Sequence, residues 1–416
     1  MKYWCLLLII FFSCGKKNQR EDYNIIQIGE SMKSVGEIRI SEIGRDISYV
    51  ALETTDSSLI ANYPDMDVWQ DKIVVSSMNQ PLMVFDKKDG HFCNTIGHIG
   101  EGPESLATDG WGNIPFWIDK ANGTVYLRAL GDNRLLRYSL DGTYLGNVAP
   151  AFTNEQKINL FFYYFHISND TITAHNKYWF EDSPYIFSFN AVNGNLIDTV
   201  SAIIQPYPQE QISSNVYIYG TYIPFGGMGM FHFDYVGDKS ARIVLNSPSI
   251  WEYKGQKYLK ESFIDTVYSI QGHSLIPFLM VDLGKWKWPY DKRFEKDNSM
   301  GRISVDYMFE NDKFIYFHLH TGLYENRNNS YLYCGFFNKK NGTTKIMQGN
   351  ALVDDIYNFL PISIRKVTSE GEFVGLIQMF DVMAWEENNN TNVLPFFIQS
   401  LFKKDEEDNP VIVFIR

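Results

Sequence analysis

Three Xaa-Gly turns recur along this chain at one fixed interval. Asp89-Gly90, Asp141-Gly142 and Asn193-Gly194 place their glycines at 90, 142 and 194, two equal steps of 52 residues. Each turn separates two runs rich in β-branched and aromatic residues, 81–85 and 91–96, 134–138 and 143–146, 185–189 and 195–197. A further run precedes each copy, at 73–75, 125–127 and 171–174. Tight hairpin turns need positive φ, which Asp-Gly and Asn-Gly supply, so each copy reads as a hairpin with another strand ahead of it. Gln271-Gly272 and Asn341-Gly342 continue the series at intervals of 78 and 70, which marks those units as carrying insertions.

Five recurring hairpins, about four strands per unit and no run with convincing amphipathic-helix spacing predict an all-β fold of radially stacked blades. Residues 20–416 divided by six give about 66 residues per unit, and by seven about 57. Five hairpins leave one blade for the chain ends to close. Residues 409–415 read as a last strand entered through Pro410, and 47–52 as a first strand joining the same sheet, which leaves no open edge. The expected fold is a six-bladed β-propeller closed by its N- and C-terminal strands, with seven blades as the alternative. Composition agrees. Of the 416 residues 16% are aromatic and 21% charged, which suits half-buried pleated surfaces and argues against disorder. The net charge of −12, with Lys and Arg scattered, lacks the basic surface that phosphate neutralisation requires, so no nucleic-acid partner is expected.

Lys2 precedes an uncharged apolar run from residue 3 to 12, too short to span a bilayer as a helix, and Ser13-Cys14-Gly15-Lys16-Lys17 follows. This is the pattern of a signal peptide, 1–13. Phe11-Phe12-Ser13-Cys14 resembles the bacterial lipobox, with Phe11 where that motif prefers Leu. The resemblance implies that Cys14 is acylated and becomes the mature N-terminus, with 14–23 a polar tether, 24–416 the propeller, and the membrane a partner through the lipid. The body then keeps only Cys93 and Cys334, read as buried free thiols and not as a disulfide framework.

Several motifs occur in order along the body. Ser48-Tyr49-Val50-Ala51-Leu52-Glu53-Thr54-Thr55 resembles the opening strand of six-bladed propeller lipoproteins abundant in Bacteroidetes. Val84-Phe85-Asp86 through Gly90, followed by the stretch from Ile96 to Glu104 (IGHIGEGPE), resembles that family's Gly-rich signature, with Ser105 where Tyr is frequent. Asp265-Thr266-Val267-Tyr268, Pro277 and Asp282-Leu283-Gly284-Lys285 are similar to a later blade, and Asn409-Pro410-Val411-Ile412-Val413 to the closing strand. The resemblance implies NHL-like blades and a cell-envelope, outer-membrane location. The biochemical role of that family is largely uncharacterised.

Chemistry is harder to find. Gly97-x-x-Gly100-x-Gly102 has the look of a phosphate cradle, but Pro103 and a turn-rich stretch follow where a helix N-terminus is needed. His318 and His320 share one strand face, and no third metal ligand is evident. Asp67, Asp119 and Asp265 each lie near a strand start, where a calcium-dependent lactonase or lyase would gather ligands at the axis; turn roles explain them more simply. No catalytic residue, metal site or cofactor is therefore expected, with a channel metal such as calcium as the alternative. The better class is binding. Tyr217, Tyr219, Tyr222 and Phe225 stand among glycines in an insertion, and Trp286 and Trp288 alternate on one face; such rings can stack on sugars or grip a peptide. A glycan or an envelope protein is the expected partner. The acidic run 405–408 reads as a solvated turn.

Overall fold

The computed structural model describes residues 25–416 except 63, 109–111, 132–133, 154–162, 177–183, 202, 204–229, 235–241, 247–248, 262, 293–300 and 323–330, with backbone alone at 163–165, 176, 230–234, 242–246 and 306. After two N-terminal strands, β1 (Ile25–Ile26) and β2 (Ile47–Ala51), the chain builds its blades in order. Blade I holds β3 (Asp65–Trp69), β4 (Lys72–Ser76), β5 (Leu82–Asp86) and β6 (Phe92–Ile96). Blade II holds β7 (Phe116–Ile118), β8 (Val125–Arg128), β9 (Leu135–Tyr138) and β10 (Tyr144–Val148). Blade III holds β11 (Tyr163–Ser168), β12 (Thr171–Asn176), β13 (Ile186–Asn190) and β14 (Leu196–Val200). A two-stranded hairpin, β15 (Met230–Asp234) and β16 (Arg242–Asn246), interrupts the series. Blade IV holds β17 (Ser249–Tyr253), β18 (Gln256–Lys260), β19 (Thr266–Gln271) and β20 (Ser274–Val281). Blade V holds β21 (Ile303–Glu310), β22 (Phe314–Thr321), β23 (Tyr331–Asn338) and β24 (Thr344–Gln348). Blade VI holds β25 (Ala351–Leu352), β26 (Ile362–Val367), β27 (Phe373–Ile377) and β28 (Val411–Ile415). The first long strands of successive blades touch, β7 with β11, β17 with β21 and β21 with β26, so they surround a common axis. The fold is a six-bladed propeller, and the seven-blade alternative falls away.

The five glycine turns all join the third strand of a blade to its fourth, with φ of +76° at Gly90, +85° at Gly142, +76° at Gly194, +53° at Gly272 and +71° at Gly342. In the first three blades the glycine has a second duty. A Cβ on Gly90 would stand 2.1 Å from the Ala51 carbonyl oxygen, and one on Gly194 2.1 Å from that of Ala149. The turn thus lies flat on the preceding blade's outer end, and the Gly90 and Gly194 carbonyls accept from Glu53 and Ala151 N–H.

Blade VI lacks such a turn because the chain ends meet there. β2 pairs antiparallel with β28, Ile47 opposite Ile415 and Ala51 opposite Val411. Arg416 holds the junction through Glu372 at 2.5 Å and Asp46 at 3.3 Å. Asn409 does the same at the other end: its side-chain amide donates to Glu53 O and Ser58 O, both at 2.7 Å, and its carbonyl accepts from Ile60 N at 2.8 Å. Two of the family-like motifs, at 48–55 and 409–413, are therefore the two sides of one joint. Upstream, residues 25–46 strap the outside of the ring. Ile25 and Ile26 pair in parallel with Met280 and Val281 of blade IV, Gly36 N–H reaches Ile346 O of blade V, and Arg39 bridges Val353 of blade VI.

Among the described residues, five buried apolar clusters occupy five of the six inter-blade interfaces. Phe85 and Phe414 represent the cluster between VI and I, Val84 and Leu127 that between I and II, and Tyr126 and Phe187 that between II and III. Val267 and Phe317 lie between IV and V, and Tyr316 and Phe373 between V and VI. Polar clasps add to them: Trp69 Nε1 donates to Lys120 O at 3.0 Å, Trp251 Nε1 to Glu310 at 2.9 Å, and Asn311 Nδ2 to Gly371 O at 2.8 Å.

One expectation fails. Between β27 and β28 the chain forms helix α1 (Met379–Asn388) and a second short helix, α2 (Phe396–Gln399). Met379 and Val382, one turn apart, are buried with Leu394, Ile398 and Leu401 in the cluster between V and VI, and Trp385 packs against it. Apolar residues fall on more than one side of α1, with Phe380 exposed while Met379 and Val382 are buried, so no single apolar stripe stands out as a helix in the sequence.

Candidate functional site

The two faces of the ring differ. In blades I–V, turns within strand pairs one–two and three–four close one face with tight hairpins, while connections from second to third strand and from blade to blade emerge on the other. The longest, from Val200 to Ser249, joins blades III and IV and carries the β15–β16 hairpin.

The described contacts across that same III–IV seam differ in kind from those at the other five. His166 and Thr173 are cross-strand partners on blade III, and Glu252 and Lys257 on blade IV. The pairs meet face to face: His166 Nε2 lies 3.6 Å from Glu252 Oε2, and Lys257 Nζ donates to Thr173 Oγ1 at 2.8 Å. Two more imidazole–carboxylate pairs cross the seam, His175 to Glu261 at 3.6 Å and His273 to Asp198. Ile186 and Leu259 add buried apolar surface in these blades. His166 Nε2, Ser168 Oγ and Glu252 Oε2 are buried together, and His166 and Ser168 both face the Glu252 carboxylate. The side chains of His166 and Glu252 are nevertheless 20% and 23% exposed.

Burial lowers the His166 pKa despite the neighbouring carboxylate, so the imidazole is neutral near pH 7. Glu252 is held below its usual range, chiefly by His166 and against burial. Burial also lowers Lys257 and outweighs the attraction of Glu252 and Asp119. Lys120, whose charge acts on His166, extends the cluster: its ammonium pairs with Asp67 at 2.7 Å and donates to Val68 O at 2.8 Å. Burial lowers Lys120, and for Asp67 it is outweighed by Lys120 and Lys366, which keep that carboxyl low.

The residues singled out in the sequence take other places. Asp119 is buried and accepts from Ala121, Asn169 and Asp170 N–H, which ties blade II to blade III. Asp265 pairs with Lys287. Asp67, Asp119 and Asp265 thus serve separate contacts, and no group of three His, Cys, Asp or Glu arranged to hold a metal occurs among the described residues. Trp288 is 1% exposed, edge-on to Phe263 and donating to Lys292 O, so it does not share a surface platform with Trp286. Trp286 packs partly buried on the IV–V cluster, with the Lys285 ammonium over its ring. Tyr217, Tyr219, Tyr222, Phe225 and Cys14 lie outside the described residues. Gly97 has φ of +74° and sits on the Leu106 side chain in a loop with no helix after it. Cys334 is buried as expected, but Cys93, on the outer strand of blade I, is exposed. Asp405–Asp408 form an exposed turn closed by Asp405 N–H on the Asp408 carboxylate.

His318 is buried in blade V, with Nε2 2.5 Å from the Tyr316 hydroxyl. Burial brings its pKa down to about 3. Its unfolded counterpart titrates near ~6.5, so between those values the unfolded chain binds a proton that the folded ring refuses. Stability is therefore lost as pH falls through that window, by about 2 kcal/mol between pH 7 and 5. Urea unfolding of wild type and His318→Gln across this range checks it: the variant loses that part of the slope, and an unchanged slope contradicts the assignment.

The sequence had no means of pairing His166 with Glu252. Their strands were legible, but which residues face each other across blades depends on register and ring order, and no local pattern encodes it.

Among the solved structures that resemble the chain are two from Bacteroides. One is a protein from Bacteroides fragilis predicted to be exported, at 15% identity and a TM-score of 0.58, covering 94% of this chain and 99% of its own. The other, a DUF4221-family member from Bacteroides vulgatus, has 11% identity and a TM-score of 0.48 over 89% of this chain and 96% of its own, too distant to carry an argument. The first supports the propeller fold alone. No curated protein matches. A family model described as "Domain of unknown function (DUF4934)" matches residues 23–416, nearly the whole body of the ring, and the chain therefore belongs to that family.

Proposed function

We propose that this chain is an exported, lipid-anchored propeller of the cell envelope that binds a glycan or an envelope protein and performs no chemistry on it. The observation that carries the reading is the asymmetry of the ring: one face is closed by tight hairpins, and the other displays the long connections, including the one joining β14 to β17. A rigid scaffold with its long loops on one face is built for recognition. The aromatic stretch with Tyr217, Tyr219, Tyr222 and Phe225 belongs to that connection, and Trp286 to the next one, between β20 and β21. Lys2, the apolar run and Cys14 support export and acylation, as does the predicted export of the Bacteroides fragilis neighbour. Among the described residues no helix is long and apolar enough to cross a membrane.

Two measurements test this. Labelled palmitate is incorporated by wild type and not by Cys14→Ala; equal labelling removes the anchor. The mature chain is stabilised in thermal-shift screens by at least one polysaccharide, or it retains one envelope protein reproducibly in pull-downs. Failure of both, or turnover of a bound glycan, ends the reading.

A further inference from the structure

Among the described residues, the three most exposed large apolar side chains lie in one insertion. Phe396 is 76% exposed, Val393 74% and Phe380 57%, all between β27 and β28, and Phe397 beside them is 41% exposed. The insertion is firmly seated. Leu394, Ile398 and Leu401 are buried in the V–VI cluster, and the Phe397 ring lies 6.0 Å from that of Tyr49 and 5.5 Å from that of Tyr357. Phe396 thus stands out from a short helix whose other side is fixed. Single exposed apolar residues are ordinary on a soluble protein, but several concentrated on one rigid element mark a contact surface.

Position identifies what is contacted. A tight turn closed by Gly371 N–H on Thr368 O joins β26 to β27 on the hairpin face, so the connection from β27 to β28 lies on the face of the long connections. The described chain also begins near that face: Ile25 pairs with Met280, one residue from the end of β20, where the chain leaves for blade V. With Cys14 acylated, ten residues separate the lipid from Ile25 and keep the bilayer within roughly 35 Å of this corner of the ring. A tether that short makes the local concentration of lipid high, so a few inserted side chains suffice to hold the contact.

Charge selects the kind of surface. Residues 379–408 carry seven carboxylates, on Asp381, Glu386, Glu387 and the run 405–408, against Lys403 and Lys404, a net charge of −5. An anionic surface would be repelled, which leaves apolar insertion as the attractive force. The Lys403 ammonium lies 5.6 Å from the Phe396 ring centroid, a cation beside an aromatic ring as at membrane interfaces.

We propose that the β27–β28 insertion rests on a bilayer of zwitterionic headgroups, with Phe396, Val393 and Phe380 entering at headgroup level. This rests on the reading of the chain as lipid-anchored and adds an orientation to it. The face with the long connections turns toward the membrane, so the ligand it meets is one presented there.

The test uses the mature chain with Cys93→Ser, coupled through the Cys14 thiol to a maleimide lipid in phosphatidylethanolamine–phosphatidylcholine vesicles. Coupling imposes the tether whether or not the cell acylates that thiol. With the photoreactive residue benzoylphenylalanine in place of Phe396, illumination gives lipid adducts at least tenfold more often than with the same residue in place of Val192. Val192 is 56% exposed on a hairpin-face turn, so it controls for exposure alone. Val393→Ser with Phe380→Ser lowers the yield at 396 at least threefold, with near-ultraviolet circular dichroism unchanged. Without any probe, hydrogen exchange over 380–404 slows when the chain is coupled to vesicles. Equal lipid yields at 396 and 192 together with unchanged exchange overturn the contact, as does an adduct at 396 with a second copy of this chain in place of lipid. A yield that rises when phosphatidylglycerol replaces a third of the lipid overturns the zwitterionic surface. Each of these results leaves the anchor standing, whereas absence of palmitate labelling ends the anchor whatever the yield at 396.

Discussion

Replacing Gly194 by Ala is expected to destabilise the ring by about 4 kcal/mol, while the same change at Gly342 costs about 1 kcal/mol. Both residues have positive φ, +76° and +71°, where an L side chain is strained, and that shared cost is the whole effect at Gly342 because nothing lies within 4 Å of its Cβ position. At Gly194 the added methyl would meet the Ala149 carbonyl oxygen at 2.1 Å and the Pro150 nitrogen at 3.4 Å. Backbone cannot rotate away as a side chain can, so blade III must lift from blade II and strain the bond from Ala151 N–H to the Gly194 carbonyl. Gly90 against Ala51 behaves as Gly194 does. Urea unfolding of the three variants measures the difference. A Gly342→Ala cost equal to that of Gly194→Ala would show that turn strain alone matters and that the docking of turn on blade contributes nothing.

Asn409→Ala is the second large effect, at about 3 kcal/mol. The side chain is buried and makes three hydrogen bonds to backbone groups of residues 53–60, so truncation leaves Glu53 O, Ser58 O and Ile60 N–H without it. Asn409→Asp keeps the acceptor for Ile60 and points a second oxygen at two carbonyls, so it is expected to be no better than Ala. The loss lies between the chain ends, and exchange of amides in β2 and β28 should accelerate before that of blades II and III. Uniform acceleration would mean that Asn409 does not hold the closure specifically.

The architecture was legible because its signal is local and repeated. Asp89-Gly90, Asp141-Gly142 and Asn193-Gly194 announce positive-φ turns within two residues, and the 52-residue step says that the units are alike. The closure by 47–51 and 411–415 followed from counting hairpins against blades. Helix α1 was not legible, because its apolar residues, from Met379 and the exposed Phe380 to Trp385, are not confined to one face and blur the helical stripe. The exposure of Cys93 was missed for a related reason: on an outer strand, alternation still holds, but both faces are partly open. The seam was invisible in a stronger sense. His166, Thr173, Glu252 and Lys257 come from strands of two separate blades, and only the ring brings His166 opposite Glu252.

The joint between β2 and β28 also sets a clock. Asn409 and its partner Glu53 lie 356 residues apart, and Ile47 finds Ile415 only when the last strand has been delivered. Until then the chain is an open arc with two unpaired strand edges, one on β27 and one on β2, and such edges invite pairing with other chains. Contacts of this sequence separation form slowly, so closure comes last. A chain threaded across a membrane from its N-terminus would thus complete its ring only after passage has ended, and loss of the final five residues would cost the whole molecule its latch.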